Sequence, residues 1–383
     1  MSRRACARAL FLALLLASCA SSAWGQTHVH PVGSAQPALA QPVPAAAPGL
    51  AFARQAETTE PAPERDLGTF ALTLDNDLFT GSDNNYTHGV GLSLTTKEIS
   101  TYRPDHPYRR WDDFWSFLPF MDDPSTVRQA AWTLGQEIFT PDDITDPNPP
   151  SDDQPYAGIL YLNSTLYATG LRHSHAWNLR VGLVGPSARA KELQTELHEW
   201  IGSDKPEGWD HQLPDELLLN ADYNFAYEWL RVGEGEGIEA RLVPMSGASL
   251  GNYFTGASGA LYGELGWNLP EVIGLSTLRR GSSLRPSVDP FAAASAQRNE
   301  PPSLSLYGGL GLFAVMHFLP LDGTVFEDSP SVDSEPLVGY VTTGFALTYR
   351  GLALGYSYTY LTDTFEGQVE NNEYGTLSLA WSY

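Results

Sequence analysis

GLALGYSYTYLTDTFEGQVENNEYGTLSLAWSY, residues 351–383, contains two runs of strict alternation. In the first, Leu352, Leu354, Tyr356, Tyr358 and Tyr360 fall on one side, and Ala353, Gly355, Ser357 and Thr359 on the other. In the second, Leu377, Leu379, Trp381 and Tyr383 oppose Thr376, Ser378, Ala380 and Ser382. Side chains alternate across a strand, so each run predicts a strand with one large apolar face and one small polar face. A soluble sandwich usually turns its small polar residues outward. Lipid outside and a polar lumen inside suit this pattern better, which points to a membrane β-barrel.

The same alternation recurs upstream. Strands are expected from Thr69, then near 86–95, 129–140, 156–168, 175–185, 218–230, 236–248, 257–268, 303–317 and 337–349. With the two final runs the count is about twelve, an even number as single-chain bacterial barrels prefer. Closure would satisfy every strand edge, as lipid requires. The alternation breaks once, at 187–202 (SARAKELQTELHEWIG), which reads as a helix with Ser187 as N-cap and Gly202 as its stop. With both termini in the periplasm, strand alternation places that helix outside, on the rim that also carries Asn76-Asp77, Tyr86-Thr87 and Pro155-Tyr156. The connections 97–128 and 269–302 would then be periplasmic, and they are long for such turns.

Composition agrees with this class. The chain has 383 residues, with 35 Gly, 18 Tyr and 10 Trp, and 45 Asp+Glu against 22 Lys+Arg. A net charge of −23 argues against nucleic-acid binding. A mean hydropathy of −0.22 does not suggest a bundle of membrane helices. Abundant Tyr, Trp and Gly also fit a secreted β-sandwich, so composition alone leaves both readings open.

At the N-terminus, Arg3, Arg4 and Arg8 precede a short apolar run, Leu10 to Ala17, too short to span a bilayer. Residues 1–25 read as a signal peptide cleaved after Ala23-Trp24-Gly25; lipoprotein processing at Cys19 is the rival reading. Both cysteines, Cys6 and Cys19, lie in this leader, so the mature barrel would hold no disulfide. Residues 26–66 read as a disordered Pro/Ala-rich linker, and 67–383 as the barrel domain.

Two groups of residues could carry chemistry. His198 sits mid-helix among Glu196, Glu199 and Asp204, where a general base or a plain surface histidine would both fit. Asp77 and Asp83, with Asn76 and the Thr87 hydroxyl, offer hard oxygen ligands for calcium, although TGSDNN is also an ordinary turn sequence. Asn76 has lipid-face parity in its strand, which a covering loop would make tolerable. HExxH, paired CxxC, a Walker-type loop and GxSxG are all absent. A hydrolase built this way would use activated water.

The run NDLFTGSDNNYTHGVGLSLT resembles the opening of the outer-membrane lipid A deacylase family. LGQEIFTPDD, DDQPYAGILYLNSTLY, VGLVGPSARAKELQTELHEWIGSDKPEGWDHQL, GNYFTGASGALYGELGWNLP and LDGTVFEDSPSVDSEPLVG resemble later blocks of that family in the same order. The resemblance implies a twelve-stranded barrel with its site between the wall and an extracellular helix. It implies removal of a 3′-O-linked acyl chain from lipid A of lipopolysaccharide, with a histidine-activated water and a calcium ion at the oxyanion. Carried over by motif, the catalytic residues are His198, Asn76, Asp77 and Thr87. The calcium ligands are Asp77 and Asp204, and Tyr86 and Tyr156 would contact substrate. The resemblance also implies insertion by the outer-membrane assembly machinery, signalled by the aromatic last strand, and a monomer whose site faces outside. Basic residues that could grip phosphates are missing from the second outer loop, which reads DDITDPNPPSDD. A non-enzymatic barrel, a porin or binding scaffold, is the other function the sequence allows.

Overall fold

The structure, a computed structural model, describes residues 68–76, 86–96, 117–121, 123, 125–233, 237–270, 302–369 and 372–382, and only the backbone of 86–88. The predicted leader and linker lie outside these residues, as do Asp77 and Asp83.

The strands are β1 (Thr69–Asn76), β2 (Tyr86–Thr95), β3 (Val127–Phe139), β4 (Ala157–Thr169), β5 (His173–Val184), β6 (Glu216–Tyr227), β7 (Leu230–Val232), β8 (Ile238–Gly251), β9 (Phe254–Trp267), β10 (Ser303–Phe318), β11 (Leu337–Tyr349), β12 (Leu352–Leu361) and β13 (Asn372–Ser382). Two helices interrupt them, α1 (Ala190–Ile201) and the short α2 (Leu319–Asp322). Neighbours pair antiparallel throughout. β1 pairs with β13, and β6 with β8, so the sheet closes on itself.

β6 and β7 are two parts of one stave, because both pair with β8; the barrel is therefore twelve-stranded. The stave breaks between Ala226↔Met245 and Leu230↔Leu242, where three residues oppose two. Pro244 stands opposite that break and has no N–H to give to a ladder. Closure also settles the choice left open by composition: a two-sheet sandwich does not form.

The alternation sorts as the sequence predicts. Ala353, Ser357, Thr359, Thr376, Ser378 and Ala380 are buried toward the lumen, while Leu352, Leu354, Leu304, Leu306 and Leu310 stand exposed on the outer wall. Burial of the lumen set means the interior is filled rather than open. Tyr161, Tyr253, Tyr262, Tyr307, Phe313, Tyr340 and Tyr374 point inward, each at most 7 % exposed. Several of these rings lie over a glycine of the next strand. A Cβ on Gly135 would come within 2.5 Å of the Tyr161 ring, and one on Gly309 within 2.4 Å of Tyr262. Paired Tyr and Gly thus fill a cylinder whose wall strands run close beside one another.

At the rim opposite α1, part of the long connection after β2 folds back onto the outer wall. The Trp177 indole N–H donates to the Pro119 carbonyl at 3.1 Å, and Phe120 stacks on His175 at 4.5 Å.

Candidate active site

The site is assembled where β3 and β5 end and β4 begins. Asp75, Gly89, Glu137, Ile159 and Val184 lie in one lateral row across β1 to β5. The loop from 140 to 156 leaves β3 beside the loop from 185 to 215 that follows β5, and the two fold together. The Glu207 N–H donates to the Ile144 carbonyl at 2.8 Å, and the Leu213 N–H to the Tyr156 carbonyl at 2.9 Å.

α1 begins later than its sequence suggests. Ser187 does not cap it: Pro186–Ala188 form a 3-10 turn, and Arg189, left-handed at φ 60°, holds the N-cap position. Ser187 instead donates its N–H and its hydroxyl to the Asp215 carboxylate, both at 2.8 Å, tying the two ends of the loop together. The proline explains the delay, because it fixes the chain just before the helical turns can start. Gly202 ends the helix as expected, left-handed at φ 75°.

Ala190, Gln194 and His198 are the buried residues of α1, one per helical turn, so this stripe is the docking face. It packs on β3 and β4 from outside the barrel. Ile138 and Gly158 share the parity of the lipid-facing Leu134 and Leu162, yet Ile138 is fully buried in a cluster with Tyr156, Ala190 and Trp209. Gly158 is where the helix comes closest: a Cβ there would lie 2.2 Å from the Ala190 Cβ. Gln136 adds a polar tether, its side-chain N–H donating to the Ala188 carbonyl at 2.6 Å. The Trp209 indole N–H donates to Gln194 Oε1 at 2.7 Å.

His198 is 4 % exposed, and its Nδ1 lies 2.6 Å from the Asp204 carbonyl oxygen. A carbonyl can only accept, so Nδ1 is the donor, and in the neutral ring the lone pair then lies on Nε2. The turn that makes this possible follows the helix, with the Gly202 and Ser203 N–H groups both donating to the His198 carbonyl, at 2.8 and 3.0 Å. Asp204 therefore meets His198 through its backbone, while its carboxylate is exposed. A buried imidazole whose neutral form is held to one tautomer is the arrangement a general base requires.

Asn76 ends β1 on this rim, with the parity of Leu72 and Leu74 that faces the outer wall, and it is buried. One strand, β2, separates it from Ile138, two spacings or about 10 Å at the usual strand separation. Thr87 is the extra residue of a bulge: Tyr86 pairs with Phe139 and His88 with Ile138, leaving Thr87 unmatched. Bulges re-aim side chains beside functional sites. The structure thus gathers Asn76, Tyr86, Thr87, His198 and Asp204 at one rim. Tyr156 is the exception among the expected contact residues. It is fully buried, its hydroxyl donates to the Ile144 carbonyl at 3.1 Å and its ring packs on Trp209 at 4.8 Å, so it braces the two loops rather than facing a substrate. Burial pushes its hydroxyl up to about 12.

The rim is acidic but organised. Hydrogen bonds from the Thr145 side chain and backbone hold Asp143 below its usual range, whereas burial raises Asp153. Two loop cations are already engaged, Arg189 with Glu192 at 2.6 Å and Lys191 with Asp210 at 2.8 Å. Lys205, exposed beside Asp204, has no such ion pair among the described residues. Gln136, Gly158 and Trp209 escaped the sequence reading. The signal for Gln136 was present: a polar residue with outer-wall parity needs a cover.

No group of three His, Cys, Asp or Glu that could hold a metal ion occurs among the described residues, which exclude Asp77. Asn76, Thr87 and Asp204 are residue types with oxygen donors, the chemistry a hard cation takes.

Comparison with solved structures gives LpxR from Salmonella typhimurium at a TM-score of 0.63 and 17% identity, covering 82% of this chain and 99% of that one. The β domain of the Bordetella autotransporter BrkA follows at 0.39 and 10%, over 83% of this chain and 97% of that one. A search of the curated proteins found no match. The first likeness shows the same barrel fold, and the profile of the family described as outer membrane protein LpxR matches residues 36–383. The chain is an outer-membrane β-barrel and belongs to the LpxR family.

Proposed function

We propose that this barrel hydrolyses an ester-linked acyl chain, the 3′-O-linked one, from lipid A of lipopolysaccharide, with the site facing the cell exterior. The observation that carries the reading is His198 itself: buried against the outer wall, with Nδ1–H on the Asp204 carbonyl and, in the neutral ring, the lone pair on Nε2. A site on the outer wall rather than in the lumen takes its substrate sideways from the leaflet, as an acylated lipid requires. The filled lumen counts against the porin alternative, because a water-filled pore would leave its tyrosines exposed.

In this mechanism Nε2 of His198 takes a proton from a water molecule, which attacks the ester carbonyl; the same nitrogen then returns the proton to the departing sugar oxygen. The Asp204 carbonyl holds the ring in the productive tautomer throughout. Asn76 and Thr87 would fix the ester relative to that water. Asp77 and Asp204 would hold calcium, with Asn76 as a neutral donor. When bound, the ion polarises the ester carbonyl and stabilises the developing oxyanion. Lys205 supplies a positive charge for a lipid A phosphate, in place of the basic residues the second loop lacks.

The test is the mass of lipid A from a Gram-negative host expressing the chain or its His198→Ala variant, with calcium present or chelated. Loss of one hydroxyacyl or acyloxyacyl group only with intact His198 and calcium supports the reading. Unchanged lipid A from a correctly assembled barrel with calcium supplied would end it.

A further inference from the structure

Behind the helix seat, on the lumen side, lies a charged group that the mechanism above does not use. Arg180 of β5 has no exposed side-chain surface. Its planar guanidinium is sandwiched between Tyr161 and Tyr253, 4.0 and 4.3 Å from their centroids. Nε donates to Asn163 Oδ1 at 3.1 Å, but the two terminal nitrogens make no hydrogen bond among the described residues. They face Glu137 of β3, whose Oε1 is 3.6 Å from Nη1. The other Glu137 oxygen accepts the Tyr253 hydroxyl at 2.5 Å. Tyr253 comes from the tight turn between β8 and β9, so the group links β3 and β5 to a distant part of the rim.

Its place along β3 is the informative part. Glu137 is flanked by Gln136, which tethers Ala188, and by Ile138, which packs against Ala190. Adjacent strand residues point to opposite faces. Glu137 therefore points into the lumen from a position whose two chain neighbours point outward and seat α1. An isolated buried ion pair is a poor device for stability, since its desolvation offsets its attraction, and apolar residues of like size often do as well. Fixing one geometry is what such a pair does better.

We propose that Glu137, Arg180 and Tyr253 form a lumenal clasp that positions the outer ends of β3 and β5, and through them α1 and His198. These are positioning residues, since none touches the reacting atoms. The proposal rests on the site reading above.

The test uses the full-length barrel refolded in detergent, as Tyr253→Phe and as the pair variant Glu137→Leu/Arg180→Met. The pair variant removes both charges together and so leaves no lone buried ion. Tyr253→Phe lacks a single oxygen and keeps the test open should the pair variant not assemble. Two readouts are taken: kcat and KM on lipopolysaccharide, and hydrogen–deuterium exchange of residues 190–201. The expected result is a fall in kcat of about tenfold with KM little changed, as for a lost contact felt only in the transition state. Exchange of 190–201 should speed up while that of 337–361 stays at the parental rate. Parental kcat together with parental exchange in the variants would overturn the proposal. If the parent shows no hydrolysis at all, the deacylase reading fails, and the exchange comparison still decides the clasp.

Discussion

Gly158→Ala is the most direct probe of how α1 is seated. The new Cβ would lie 2.2 Å from the Ala190 Cβ. Carbon atoms rest about 3.5–4.0 Å apart, so the two surfaces must separate by about 1.5 Å. Gly158 is held by ladder pairing with Ile138 of β3 and by the Gly185 N–H, which donates to its carbonyl at 3.0 Å, whereas α1 is held by one small cluster and a few tethers, so the helix yields. Overpacking of this kind costs about 1–3 kcal/mol, too little to unfold a closed barrel. A misplacement of about 1 Å at a reacting group can cost on the order of 100-fold in rate. The prediction is a folded barrel with turnover reduced by about that factor. The assay is time-resolved mass spectrometry of lipid A with purified protein, with heat-modifiable gel mobility as the folding control. Adding Ala190→Gly removes the opposing carbon and should restore most of the rate, less a helix penalty of about 1 kcal/mol. Parental turnover in Gly158→Ala, or no recovery in the double variant, would refute the view that this contact sets the position of His198.

Trp209→Phe removes the 2.7 Å bond to Gln194 inside a fully buried cluster and should destabilise the two loops by about 1–3 kcal/mol; proteolytic protection of 140–215 measures it, and unchanged protection would count against the cluster as the loop anchor. Burial holds the Tyr156 proton up to about 12, against the ordinary 10.0. The unfolded loops lose that proton first, so loop stability is full below 10.0 and falls as pH rises toward about 12; Tyr156→Phe should flatten the alkaline part of the protection curve. In planar bilayers the purified barrel should show no porin-scale conductance, because inward tyrosines fill its lumen; steady open-channel currents would revive the pore reading.

Some of this could be read locally. Alternation has a period of two residues and depends only on neighbours in the chain, so residues 352–360 and 376–382 displayed their lipid and lumen faces without any tertiary information. Other features needed contacts between distant residues. Ser187 looks like a cap, but Asp215, far along the chain, claims its hydroxyl. Tyr156 looks like a contact residue at a loop mouth, but Trp209 covers it. Asp204 looks like a carboxylate donor, and only the turn after Gly202 shows that its carbonyl orients His198.

The sequence by itself determined a closed antiparallel barrel with one loop helix, and strand parity alone put its unusual polar residues on one rim. Only the tertiary structure decided that α1 lies against the outer wall rather than over the mouth. That depends on Gly158 leaving room for Ala190 and on Gln136 reaching Ala188, contacts across strands that no local period encodes. The same holds inside the lumen, where Arg180, Glu137 and Tyr253 meet because a barrel brings three separate parts of the chain to one depth.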